Sequence, residues 1–81
     1  MKYIIVKDRD DREAAIIFPS HIIHKDVARI HRVTDVRVIS AGFCSLNPVE
    51  VWGESETLHM KHRPEDAQII EKDWKEENGH V

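Results

Sequence analysis

Two apolar runs separated by nothing but charge set the strongest constraint on this chain. Residues 3–7 (Tyr-Ile-Ile-Val-Lys) and 14–18 (Ala-Ala-Ile-Ile-Phe) are rich in β-branched and aromatic side chains, and every residue from 8 to 13 is Asp, Arg or Glu. A segment that charged must be solvated, and it is short enough for a hairpin loop; Pro19 stops the returning strand. Neither run alternates apolar with polar. A hairpin with one wet face would alternate, so both faces of this one must be covered, by helices or by a partner.

The period changes after Pro19. Ile23, Val27 and Ile30 fall at i, i+4 and i+7, with Ile22 alongside, which predicts an apolar helical face within residues 20–32. Ser20 is one candidate cap, and a start near His24 with Lys25 and Asp26 in the first turn is the other. Residues 33–35 break the pattern. Val36 and Val38 then flank Arg37 in a strand interrupted by Ser40, Ala41 and Gly42, and a glycine there signals a bulge, a bend or a close backbone approach. Residues 45–48 read as a turn, and Val49, Glu50, Val51 and Trp52 as a fourth strand. Residues 53–57 fit a strand extension or a loop. Arg63, Pro64, Glu65 and Asp66 announce a second helix, with proline early and carboxylates where the helix dipole favours them. Its inward residues are predicted as Ala67, Ile70 and Trp74, with Ile69 beside them.

The expected fold is therefore α+β: a ββαββα single domain over residues 1–81, with a four-stranded, mostly antiparallel sheet and two helices packed on one face. Residues 76–81 are expected to form a flexible C-terminal tail. A chain of 81 residues buries only about 60% of its unfolded surface, and such a core supplies roughly 3–5 kcal/mol. With Cys44 as its single cysteine it has no internal disulfide to help. Good packing, a metal or a second subunit must contribute the rest.

Composition excludes several classes. The chain is 41% hydrophobic and 33% charged, which fits a folded domain rather than a disordered one. A net charge of −3 argues against non-specific nucleic-acid binding. No apolar run approaches the ~20 residues needed to cross a membrane. One unpaired thiol and no export signal point to a reducing cytoplasm.

Candidate chemistry is sparse. Six histidines are the one compositional anomaly. His21 and His24 could share an ion from one helical turn, and Cys44 would make a mixed N/S set. However, no pair has regular zinc-ligand spacing, and Lys25, Arg29 and Arg32 surround these histidines with positive charge. Cys44 lacks a local activating signature and reads as a buried thiol. There is no Gly-x-Ser-x-Gly elbow, no phosphate loop and no His-Glu-x-x-His, so neither an enzyme nor a cofactor is expected. Asp8, Asp10 and Asp11 lack the glycine and distal glutamate of a calcium loop and fit a solvated hairpin tip. Gly53, Ser55 and Thr57, followed by Arg63 at a helix start, form the most ligand-like segment, one that could hold a phosphate or nucleotide. Pro64 and the carboxylates of Glu65 and Asp66 compete for that role. Trp52 is out of phase with Val49 and Val51 and projects from the other sheet face, where it could anchor an interface.

The stretches 15–19 (Ala-Ile-Ile-Phe-Pro), 24–29 (His-Lys-Asp-Val-Ala-Arg), 40–43 (Ser-Ala-Gly-Phe) and 63–67 (Arg-Pro-Glu-Asp-Ala) resemble short proteins common in bacteriophage and prophage genomes. The resemblance implies a small phage-type accessory protein in the bacterial cytoplasm, with no assigned activity and no catalytic residues to carry over. Proteins of that kind often bind a host or phage protein, and some antagonise host defence by binding an enzyme or sequestering a signalling nucleotide. The expectation from sequence is a self-associating protein interaction module, a homodimer being the simplest form. Its contact surface would hold Trp52, Glu50 and Glu54. Small-ligand binding and a histidine metal site are the alternatives.

Overall fold

A computed structural model describes residues 1–31 and 36–78, without the side chains of residues 30, 31 and 76–78. Eight elements follow one another: β1 (Lys2–Lys7), β2 (Glu13–Phe18), α1 (His24–His31), β3 (Arg37–Leu46), β4 (Val49–Trp52), β5 (Glu54–Ser55), β6 (Met60–Lys61) and α2 (Asp66–Asn78). The first four strands form an antiparallel sheet in the order β2-β1-β3-β4. Residues 53–57, ambiguous in the sequence, contain β5, one of the two strands of a separate ribbon, β5-β6, lying against β3. The α+β class and the four-stranded antiparallel sheet match expectation.

The helices do not share a face. Tyr3 and Ile5 pack with Cys44 and Ile70 of α2, whereas Ile4 and Val6 pack with Phe18, Ala41 and Val27 of α1. Successive strand residues point to opposite faces, so α1 and α2 cover opposite sides of the sheet. This corrects the one-face arrangement and accounts for the unbroken apolar run in β1. Helices, not a partner, cover both its faces, and all four residues from Tyr3 to Val6 are buried.

Two details of helix phase also differ from expectation. Helix α1 begins at His24, so its inward residues are His24, Val27 and Ala28 at i, i+3 and i+4, and Ile23 is left outside at 48% exposure. Helix α2 buries Asp66 and Ile70, one turn apart, while Trp74 is 38% exposed rather than core. Asp66 and Ile70 share the buried side, and Trp74, four residues beyond Ile70, stands near the margin of the sheet, beside Met1 on one hand and the 46–49 turn on the other. The helix includes residues 76–78, expected in the tail; residues 79–81 lie outside the described residues, as do residues 32–35.

Strand β3 runs straight through Ser40, Ala41 and Gly42. The irregularity sits one residue earlier: Val6 pairs with Val38 and Ile5 with Ser40, leaving Ile39 as the extra residue of a bulge. Gly42 marks a close approach, since a Cβ there would stand 2.7 Å from the Trp52 carbonyl oxygen and 3.1 Å from the His62 Cβ. The charged loop is a hairpin tip organised by Asp8, whose Oδ1 accepts from the amides of Asp10 (2.8 Å) and Arg12 (3.0 Å).

Candidate interaction surface

Strand register assembles one row of side chains across the α1 side of the sheet. Phe18 of β2 stands opposite Lys2 of β1, Lys2 opposite Phe43 of β3, and Phe43 opposite Trp52 of β4. Directly opposed residues on neighbouring strands lie on one face and touch, so four strands contribute to a continuous band. The band is buried at Phe18, half-buried at Phe43 and 47% exposed at Trp52. Helix α1 packs mainly over β1 and β3, and Trp52, at the far end of the band on β4, is half exposed.

His24 clamps the inner part of this band. Its ring meets Phe18 and Phe43 edge-on, with centroids 5.3 and 5.9 Å away, and its Nε2 donates to the Gly42 carbonyl at 2.9 Å. The Lys2 Nζ donates to the Ile22 carbonyl (3.0 Å), tying the chain before α1 to the same row. Burial lowers the His24 pKa, the Gly42 bond opposes that, and the Lys2 charge adds to it. Gly53, at φ 72°, lies flat on Phe43, and a Cβ there would come within 2.8 Å of the ring. Beyond Phe43 opens a shallow hollow of about 230 Å³ lined by Lys2, Ile23, His24, Phe43, Glu54, Glu56 and Thr57.

Three carboxylates rim the exposed end. Glu50, Glu54 and Glu56 are all exposed, and none makes an ion pair among the described residues, whereas Asp11, Glu13, Glu65, Asp66 and Glu71 all do. Lys61 stands opposite Glu54 in the β5-β6 ladder without reaching it as an ion pair. Glu50 and Trp52 stand on one face of β4, and Glu54 follows in β5 after Gly53.

The ligand-like segment is distributed differently. The Ser55 side chain is buried, within 3.3 Å of the Thr57 hydroxyl and accepting from the Leu58 amide at 3.2 Å. Arg63 faces away toward α2. Its guanidinium donates to Asp66 Oδ1 through Nε at 2.8 Å and to Glu13 Oε1 at 2.6 Å, and it lies 3.5 Å from Glu65. An anion at Arg63 would have to displace those carboxylates. Asp66, fully buried, also accepts from the Arg63 amide (2.9 Å) and the Tyr3 hydroxyl (2.6 Å). Burial, then the Asp66 bond, pushes the Tyr3 hydroxyl far above its ordinary range, so Tyr3 remains a donor.

The metal candidates are not assembled. His21 is exposed, His24 is buried on the α1 side and Cys44 on the α2 side, with the sheet between them. No group of three potential ligands occurs among the described residues. Burial raises the Cys44 thiol, against its use as a nucleophile. No helix among the described residues is long and apolar enough to cross a membrane.

Sequence patterns alone missed both His24 and Asp66 as buried polar groups. A signal was present in each case: His24 shares spacing with Val27 and Ala28, and Asp66 with Ile70. The Phe18–Lys2–Phe43–Trp52 band had none, because it depends on β1 pairing with β3 across a long connection. Comparison with protein-family models, curated proteins and solved structures finds no match to this chain.

Proposed function

We propose that this chain is a non-enzymatic protein interaction module, and that it meets its partner through Trp52, Glu50 and Glu54 on β4 and the turn beyond it. The observation that carries this is Trp52. A large aromatic side chain is 47% exposed on an edge strand, in line with half-buried Phe43. Tryptophans so placed anchor interfaces, because they exclude much water at little loss of rotamer freedom. The partner is a second copy or another protein of the bacterial cytoplasm, in keeping with the resemblance to phage accessory proteins.

The test compares the protein with its Trp52→Asp variant in light scattering and in retention of proteins from a bacterial lysate. We expect either a mass above one subunit or a specific retained protein, lost in the variant while the unfolding temperature stays unchanged. A monomer that retains the same proteins with and without Trp52 would overturn the proposal.

A further inference from the structure

The surface just described also has a backbone component, and it points to the kind of partner. Met1 exchanges backbone hydrogen bonds with Cys44 (2.8 and 3.3 Å), so the peptide groups of Cys44 face β1 and those of its neighbours Phe43 and Ser45 face β4. Their opposites, Trp52 and Glu50, bond inward, and the alternation turns the N–H and C=O groups of Val49 and Val51 outward from the sheet. The same alternation on the far side predicts an outward N–H at Ala15, and there it donates to Asp73 Oδ2 at 2.7 Å. The β2 edge is thus blocked at Ala15 by a side chain of α2, and among the described residues no side chain bonds the Val49 or Val51 amide.

The one charged residue of β4 is Glu50, and Glu54 and Glu56 follow it into the ribbon, where Lys61 stands opposite Glu54. From Val49 to Met60 the sequence carries Glu50, Glu54 and Glu56 and no lysine or arginine. Glu50 and Trp52 project from the same face of β4, two residues apart. A second copy paired along this edge would bring its own Glu50 against this acidic stretch, which no ion pair offsets among the described residues.

Resting on the interaction-module reading, we propose that β4 accepts an extended, basic segment of another protein as an added strand. Its main chain bonds Val49 and Val51, and its alternate side chains fall on the face of Glu50 and Trp52. An arginine there can stack on the indole and pair with Glu50 at once.

The experiment uses two synthetic seven-residue peptides, one alternating arginine with valine and one alternating glutamate with valine. Binding is read by tryptophan fluorescence, and strand addition by slowed hydrogen exchange at the Val49 and Val51 amides. We expect the arginine peptide to bind at least about tenfold more tightly than the glutamate peptide, to slow both amides, and to weaken several-fold on Glu50→Lys. Equal binding of the two peptides, or binding without amide protection, would overturn the proposal. If the protein alone is a dimer with Val51 already protected, a second copy occupies the edge; the basic segment is then wrong and the interaction surface stands. A monomer with a freely exchanging Val51 that binds neither peptide at about 1 mM removes the basic segment too, and leaves the surface to the Trp52→Asp comparison.

Discussion

The two sides of the sheet solve the same problem in different ways. Each helix opens with a polar residue driven into the core: His24 under α1 and Asp66 under α2. Their contacts lie close together in the sheet, because Tyr3, which donates to Asp66, pairs directly with Gly42, which accepts from His24. Asp66 is held by the Tyr3 hydroxyl, the Arg63 amide and the Arg63 guanidinium, and that arginine is held in turn by Glu13. His24 has one carbonyl and two aromatic edges. A buried charge is tolerable only when every lone pair has a partner, whereas a neutral imidazole needs one good bond and snug packing. The α2 side is thus locked by a network, and the α1 side, which carries the exposed aromatic end, is held by packing.

That contrast sets the order of mutational effects. Asp66→Ala should be the most damaging, at about 3–5 kcal/mol, because it leaves the buried Tyr3 hydroxyl and the Arg63 amide without their acceptor and opens a gap in the core, while the Arg63 guanidinium keeps Glu13; urea unfolding measures it, and a loss below about 1 kcal/mol would mean the network is not needed. His24→Ala should cost about 2–4 kcal/mol, mainly as a cavity between Phe18 and Phe43. His24→Gln, which can retain a donor to Gly42, should lose less, and equal losses would show that the bond is unimportant. Tyr3→Phe removes one hydrogen bond to a carboxylate and should cost about 2 kcal/mol.

The pH response separates the two sides by chemistry. The His24 pKa lies below its ordinary 6.5 because burial disfavours the charged ring. As pH falls, the unfolded chain takes up that proton first, so the contribution of this site is fully present above pH 6.5 and declines as pH drops through that value toward the folded pKa. Unfolding midpoints measured between neutral and mildly acid pH should show the decline, and His24→Gln should flatten it. Smallest of all, Trp52→Asp should change stability by no more than about 0.5 kcal/mol, because the ring is half exposed at the sheet margin.

Local pattern made most of the strands legible. Both hairpins followed from apolar runs and their turns, and the α+β class from the change of period after Pro19. The main failures were matters of which face an element presents. Whether α1 and α2 share a side depends on β3 inserting between β1 and β4, a pairing between residues roughly thirty to forty positions apart for which local sequence has no marker. Starting α1 at His24 rather than at Ser20 moves Ile23 from the predicted core to the surface. The Trp52 site was partly visible, since Trp52 breaks the apolar phase of Val49 and Val51. What could not be read was its continuity with Phe43, or that the Glu50, Glu54 and Glu56 carboxylates would make no ion pair among the described residues.

The small bond from the Ala15 amide to Asp73 has a consequence for assembly size. A sheet grows into a fibre only if each unit offers a receptive border on both sides, so that every addition exposes the next one. Here one border is plugged at Ala15, in the middle of β2, by a carboxylate that α2 carries. Laying β4 of one copy against β2 of the next would have to displace the Asp73 carboxylate from the Ala15 amide, which disfavours open-ended growth of this sheet from copy to copy.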